Sequence, residues 1–144
     1  KLFANKLWNI SRFILSNLPA QAGTEGFNLT APLTPPDQAL YDSWKAKAKA
    51  ITADIENYNL HTASEAIYHY IWDTLASTIL EESKPLLVSD DLAIQQSRQK
   101  LLYTLLTESI TVLHPFMPFI TETIWQILPH KERPLLMISQ WPTL

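Results

Sequence analysis

Four polar residues near the start of the chain recur at the spacing of one helix face: Asn5, Asn9, Arg12 and Ser16. Lys6 and Phe13 lie at the margins of the same face. Amides, a guanidinium and an aromatic ring are the groups with which proteins hydrogen-bond to unpaired bases and stack on them. The pattern also fits an ordinary solvated helix face, so the spacing alone leaves both readings open.

The sequence lacks the residue patterns that are typical of phosphate-binding loops, metal sites and acid–base catalysis. The two glycines, Gly23 and Gly26, are not followed by the Lys-Ser or Lys-Thr of a phosphate-binding loop. No two of the four histidines are four residues apart, as a helical metal site requires. Paired acids such as Glu81–Glu82 are adjacent, and neighbours on a helix point in different directions. We therefore expect no catalytic site, no metal and no cofactor in this chain.

The composition is that of a soluble globular domain. The 144 residues carry a net charge of −3, have no cysteine and contain no apolar run long enough to span a membrane. The missing cysteines suit a reducing compartment, and we expect a cytoplasmic protein with no membrane partner. Lysine and arginine are locally concentrated, without acids, in residues 1–20 and 43–53. We expect one domain over residues 1–144, excised from a longer chain.

Five helices are predicted from the spacing of apolar residues and from the residues that start and stop helices. The first runs from Leu2 to Leu18, and the second begins near Pro36. The third opens with Thr62 and Glu65 in capping-box spacing and closes at Pro85. The fourth is capped by Ser89 or Asp90 and ends at Pro115, whereas the fifth runs from Pro118 to about Leu128. These elements predict an all-α bundle of four to five helices with a short extended C-terminal tail.

The predicted core follows the apolar stripes of these helices. We expect the second stripe to extend as far as Tyr58, and Phe116, Met117 and Phe119 to pack inward at the proline corner. Trp44, Trp72 and Trp125 are also expected in the core. The stripe of the third helix is Ile67, Tyr70, Ile71, Leu75 and Ile79, and that of the fourth is Leu101, Leu102, Leu105, Ile110 and Leu113.

Five quoted segments carry a family resemblance: "KLWNISRFIL", "AIYHYIWD", "EESKPLL", "LHPFMPFITETIW" and "ISQWP". In this order and rough spacing they resemble the anticodon-binding domain of class I aminoacyl-tRNA synthetases, and are most similar to the valyl-tRNA synthetases. The resemblance covers nearly the whole chain. It implies a helical domain that binds the anticodon stem-loop of a tRNA, attached to the catalytic and C-terminal domains of an ATP-dependent ligase.

The resemblance also implies which residues meet the RNA. The helix bearing "KLWNISRF" is where such domains contact the anticodon, which favours Lys6, Asn9, Arg12 and Phe13. Phe27 and Lys47 are further candidates. Phe27 either stacks on a base or plugs the end of the bundle. Pro115 and Pro118 are expected to be structural.

Two alternatives stay open at this stage. The domain is either an RNA-binding module or a helical scaffold that joins other parts of a synthetase, and the acidic net charge favours the second reading. Its parent could also be an isoleucyl- or leucyl-tRNA synthetase, which share the helical domain. One departure concerns the third helix, where Ser77, Thr78 and Ile79 stand in place of the Asp-Trp-Tyr usual in the family.

Overall fold

A computed structural model describes residues 1–19, 30–129 and 133–144, and this part of the chain contains five helices and no strand. They are α1 (Leu2–Ser16), α2 (Pro35–Glu56), α3, α4 (Leu92–Leu113) and α5 (Pro118–Ile127). Helix α3 is continuous through three segments: Leu60–His69, a π-helical Tyr70–Ile79, and Leu80–Leu87. The all-α bundle is confirmed. In the tail, a short 3-10 turn, Leu136–Ile138, replaces the extended segment expected there.

Helix α4 is the centre of the bundle. The other four helices all pack against it, and the buried residues of its second half point in every direction around the axis. A helix that is apolar all round must be enclosed on all sides, because each leucine or isoleucine left exposed loses the stabilisation of about 1.5–3 kcal/mol that burying its side chain provides. The predicted stripes of α3 and α4 are buried at every position.

The ends of α3 differ from their prediction. The helix begins at Leu60, two residues before Thr62, and its N-cap Asn59 makes no side-chain cap. Glu65 pairs with His61 at 3.5 Å, so the capping-box prediction is wrong. The helix then passes through Pro85 to Leu87. Pro85 is exposed, and the carbonyl deprived of its N–H partner belongs to Glu81, an exposed residue where water can bind it. Helix α4 is capped by Asp91, one residue beyond the predicted pair.

The middle of α3 is wound more widely than an α-helix. Ser77 Oγ donates to the Trp72 carbonyl at 2.8 Å and Thr78 Oγ1 to the Asp73 carbonyl at 3.3 Å, both five residues back. In an α-helix four residues make slightly more than one turn, so a row of every fourth residue shifts gradually around the helix axis. A π-helical turn holds more than four residues, and it shifts the row in the opposite direction. As a result one row of α3 keeps facing α1 along its length: Tyr68, Trp72, Ala76, Leu80 and Lys84.

A buried ion pair joins α2 to α4. Arg98 donates to Asp37 Oδ1 from Nη2 at 2.6 Å and from Nε at 2.9 Å, and the two side chains are only 4% and 3% exposed. Ser97 Oγ donates to Asp37 Oδ2 at 2.5 Å. Arg98 Nη1 also donates to Ser83 Oγ at 3.0 Å, and Ser83 Oγ donates to the Ile79 carbonyl. This network fixes the last turns of α3 to the centre of the bundle.

A second polar contact between α2 and α4 involves Glu108. Tyr41 Oη donates to this carboxylate at 2.9 Å and Trp44 Nε1 donates at 2.6 Å. Burial raises the pKa of Glu108, although the two hydrogen bonds and Lys45 act to lower it. Burial and the nearby Glu108 charge also raise the pKa of Tyr41 to about 12.

Helix α2 ends in a left-handed turn at Tyr58. The Asn59 amide donates to the Asp54 carbonyl at 2.8 Å and the Tyr58 amide to the Ile55 carbonyl at 3.0 Å, which is the Schellman pattern. Tyr58 has φ of 62° and is 88% exposed. The prediction that it continues the buried stripe is therefore wrong, because the left-handed conformation of Tyr58 itself takes its side chain off the helical stripe and into solvent.

The proline corner is confirmed. Helix α4 ends at Leu113, Pro118 opens α5, and His114 Nδ1 lies in a hydrogen bond 2.8 Å from Thr121 Oγ1. Phe116 and Met117 pack against the core, but Phe119 is 89% exposed, so its predicted inward packing is wrong. The buried residues of α5 are Thr121, Ile124 and Trp125 instead.

Candidate nucleic-acid interface

A groove of about 220 Å³ runs between α1 and α3. Its α1 wall exists because Leu7, Ile10 and Ile14 are buried and turn the neighbouring positions toward α3. We call it the α1–α3 groove. Its lining residues are Lys6, Asn9, Ile10 and Phe13 from α1, with Ala76, Leu80, Glu81 and Lys84 from α3.

Three of the six candidate RNA-binding residues line this groove: Lys6, Asn9 and Phe13. Arg12 is exposed on the polar face of α1, beside the groove. Lys47 is exposed on α2 and does not line the groove. Phe27 lies outside the described residues. The polar face of α1 is exposed at all four predicted positions, so its helical register is confirmed.

The end of α1 that carries Phe13 is tied to the centre of the bundle. Asn17 Nδ2 donates to the Phe13 carbonyl at 2.8 Å, and Gln99 Nε2 of α4 donates to the Asn17 carbonyl at 3.0 Å. The Phe13 ring is half-buried and packs against the core. It therefore combines a fixed backbone with an accessible part of an aromatic surface, as a stacking residue requires.

The groove carries an uncompensated positive charge. Lys84 Nζ lies 2.7 Å from a Glu81 carboxylate oxygen, so these two charges largely cancel. Lys6 forms no ion pair with any residue in the described ranges, and its Nζ lies 3.9 Å from the centroid of the Trp72 ring. A ring attracts a cation without neutralising it. Lys6 is thus available to a negatively charged ligand.

The α3 wall was missed by sequence reasoning. Trp72 was expected in the core but is half-buried, and Leu80 and Lys84 were not considered as site residues. The sequence signal that could have revealed this wall is the row of residues at every fourth position from Tyr68 to Lys84. That row can be assigned to the α1 side only when the wider winding of the π-helical segment is known.

A second hollow, of about 390 Å³, lies at the other end of α1 and contains none of the candidate RNA-binding residues. It is lined mainly by apolar groups, including Phe3, Tyr68 and Phe116. Over residues 1–19, 30–129 and 133–144, no three His, Cys, Asp or Glu side chains are grouped so as to hold a metal ion. In the same ranges no helix is both long and apolar enough to cross a membrane.

Comparison with known proteins identifies the class. The family model of the anticodon-binding domain of tRNA ligases matches residues 37–144. The chain belongs to this family.

The curated relatives narrow the class further. The chain is 39% identical over 145 residues to the valine–tRNA ligase of Carboxydothermus hydrogenoformans and 39% identical over 141 residues to that of Listeria innocua, with 97% of this chain covered in each case. It is 33% identical over 142 residues, 99% of this chain, to the enzyme of Bacillus anthracis. The chain spans only 16% of the length of each relative. These matches include α1 and confirm the resemblance to valyl-tRNA synthetases.

Proposed function

We propose that the chain is the anticodon-binding domain of a valine–tRNA ligase, and that the α1–α3 groove receives an unpaired base of the anticodon loop. The observation that carries this proposal is the convergence of Lys6, Asn9 and Phe13 on one groove in a chain of this family. The relatives described above are valine–tRNA ligases, which favours a valyl parent over an isoleucyl or leucyl one.

Each groove residue has a role that follows from its chemistry. The Phe13 ring offers a stacking surface, and the exposed Asn9 amide can donate to and accept from a base edge. Lys6 supplies the charge for a backbone phosphate. Arg12, exposed beside the groove, is proposed to hold a further phosphate, so that phosphate contacts position the loop and groove contacts discriminate between bases. Lys47 does not line the groove and Phe27 lies outside the described residues, so RNA contacts by these two residues remain predictions.

The domain is proposed to contribute recognition but no catalysis. Valine activation with ATP would take place in the catalytic domain of the parent, and this domain needs no cofactor of its own. Its partners would be the anticodon arm of the tRNA and the catalytic and C-terminal domains of the same polypeptide. We place the parent enzyme in the cytoplasm, where tRNA charging supplies translation.

A binding titration with matched variants tests the proposal. The 144-residue chain is titrated with a labelled valine-tRNA anticodon stem-loop and with a loop of altered anticodon bases. Phe13→Leu is expected to weaken cognate binding by about 1–3 kcal/mol, or about 5- to 150-fold, the cost of losing one stacked base. Phe119→Leu is the control, because it makes the same change at an exposed ring outside the groove.

Two results would refute the assignment. Equal affinity for both loops would mean that the domain does not recognise the anticodon. Equal losses for Phe13→Leu and Phe119→Leu would mean that RNA binds without using the groove.

A helical scaffold is the second candidate, favoured by the net charge of −3 and by the apolar hollow at the other end of α1. In that case the domain would support the parent polypeptide and have little RNA affinity. Arg12→Ala separates the candidates, because Arg12 is exposed and its loss should leave the fold intact. A drop in stem-loop affinity with an unchanged helical spectrum supports recognition, and unchanged affinity supports the scaffold.

A further inference from the structure

The two lysines of the α1–α3 groove are held in different ways. Lys84 is paired with Glu81 at 2.7 Å, one helical turn away. Lys6 is partly buried, and its ammonium lies over the Trp72 ring at 3.9 Å from the centroid. A carboxylate partner would cancel the charge that a phosphate needs. The ring restricts the ammonium to one place and leaves its charge intact.

Trp72 is itself fixed by aromatic neighbours. Its ring is stacked with Tyr68 at a centroid distance of 5.9 Å and with Phe3 at 6.3 Å. It also lies in the π-helical segment, whose wider winding keeps Trp72 in line with the α3 residues of the groove. The ring therefore forms a rigid support beside the groove, reached by Lys6 from the facing helix.

We propose that Trp72 is a positioning residue that holds the Lys6 ammonium at the groove for an RNA phosphate. This inference rests on the proposed function. A free lysine side chain gives up rotamer freedom when it binds a phosphate, whereas a lysine already held over a ring has lost that freedom on folding. Trp72 thus acts through Lys6 and need not touch the RNA.

A double-mutant cycle on the full 144-residue chain tests this. Wild type, Trp72→Leu, Lys6→Met and the double variant are titrated with the valine-tRNA anticodon stem-loop. Trp72→Leu should weaken binding about two- to five-fold, the range of a cation–π contact at an accessible site. In the Lys6→Met background the same change should have no further effect, because the ring no longer has a cation to position.

Two further measurements separate positioning from a general effect on folding. Site-specific replacement of Trp72 by mono-, di- and trifluorotryptophan preserves the shape of the ring while weakening its attraction for cations. Affinity should fall stepwise with each fluorine in wild type and stay constant in Lys6→Met. Without RNA, NMR of the lysine side chains should show the Lys6 ammonium as more restricted than that of exposed Lys49, and this difference should disappear in Trp72→Leu.

The outcomes are distinguishable. Wild-type binding with no response to Trp72→Leu or to fluorination would overturn this inference and leave the proposed function standing. A Trp72→Leu loss of the same size in the Lys6→Met background would also overturn it, since the ring would then act structurally. Failure of the wild type to bind either stem-loop would overturn the proposed function and this inference with it.

Discussion

Removing Arg98 tests whether the buried ion pair holds the bundle together. Arg98→Met would leave the Asp37 carboxylate buried, with a hydrogen bond from Ser97 Oγ still in place. Breaking a buried pair from one side costs about 3–5 kcal/mol, because the remaining charge stays desolvated. The retained Ser97 hydrogen bond places the expected loss near the lower end, at about 3 kcal/mol. That is a large part of the roughly 5–15 kcal/mol stability of a domain.

Urea unfolding followed by circular dichroism measures this loss. With a slope of about 2 kcal/mol per molar urea, the midpoint should fall by about 1.5 M. Lys84→Met is the control: it breaks the Lys84–Glu81 pair, whose side chains are 54% and 62% exposed, and should cost under about 1 kcal/mol. The double variant Asp37→Leu/Arg98→Met should recover most of the loss, because no unpaired charge remains.

A midpoint shift for Arg98→Met no larger than that of Lys84→Met would refute the reasoning. It would mean that Asp37 reaches water or a new donor once Arg98 is gone. The network could then not be the link that fixes the end of α3, and with it Glu81 and Lys84, to the centre of the bundle.

Three further predictions concern stability. Tyr58→Gly should stabilise the domain by about 1 kcal/mol in thermal unfolding, because glycine adopts the left-handed conformation without the steric penalty; a loss would contradict this. The stabilisation associated with the raised pKa of Glu108 is complete below its ordinary value of 4.5 and is lost as pH rises through the folded-state value. Glu108→Gln should therefore gain stability relative to wild type as pH rises from 4.5 toward neutrality, and a constant difference would contradict this. Ser77→Ala should cost about 0.5–1.5 kcal/mol in urea unfolding if its hydroxyl stabilises the π-helical winding, and no change would show that the winding needs no such bond.

Local sequence signals predicted the helices and most of the core. Apolar spacing located the stripes of α3 and α4, and the missing proline amides placed the corner at Pro115 and Pro118. Such signals act over a few residues and require no knowledge of the rest of the fold. The errors at Tyr58 and Phe119 occur where a helix ends or begins, because there the direction of a side chain depends on the turn rather than on helical periodicity.

Half of the candidate site could also be predicted. The exposure of the polar face of α1 was predicted correctly, because the amphipathic pattern lies within a single helix. The α3 wall was not found, since it depends on how two helices pack together although more than forty residues, 17–59, lie between them. It also depends on the π-helical segment that aligns Trp72 with Leu80. The buried Asp37–Arg98 pair was missed for the same reason: its partners are 61 residues apart.

Mapping the RNA onto the protein tests the central claim most directly. The uniformly 15N- and 13C-labelled chain is titrated with the unlabelled valine-tRNA anticodon stem-loop, and backbone, side-chain amide and methyl signals are followed by NMR. Our account predicts that the largest shifts fall on the two walls of the α1–α3 groove, including the Asn9 side-chain amide and the Leu80 methyl groups. Shifts confined to another surface, such as the α2–α4 side around Tyr41 and Glu108, would contradict it.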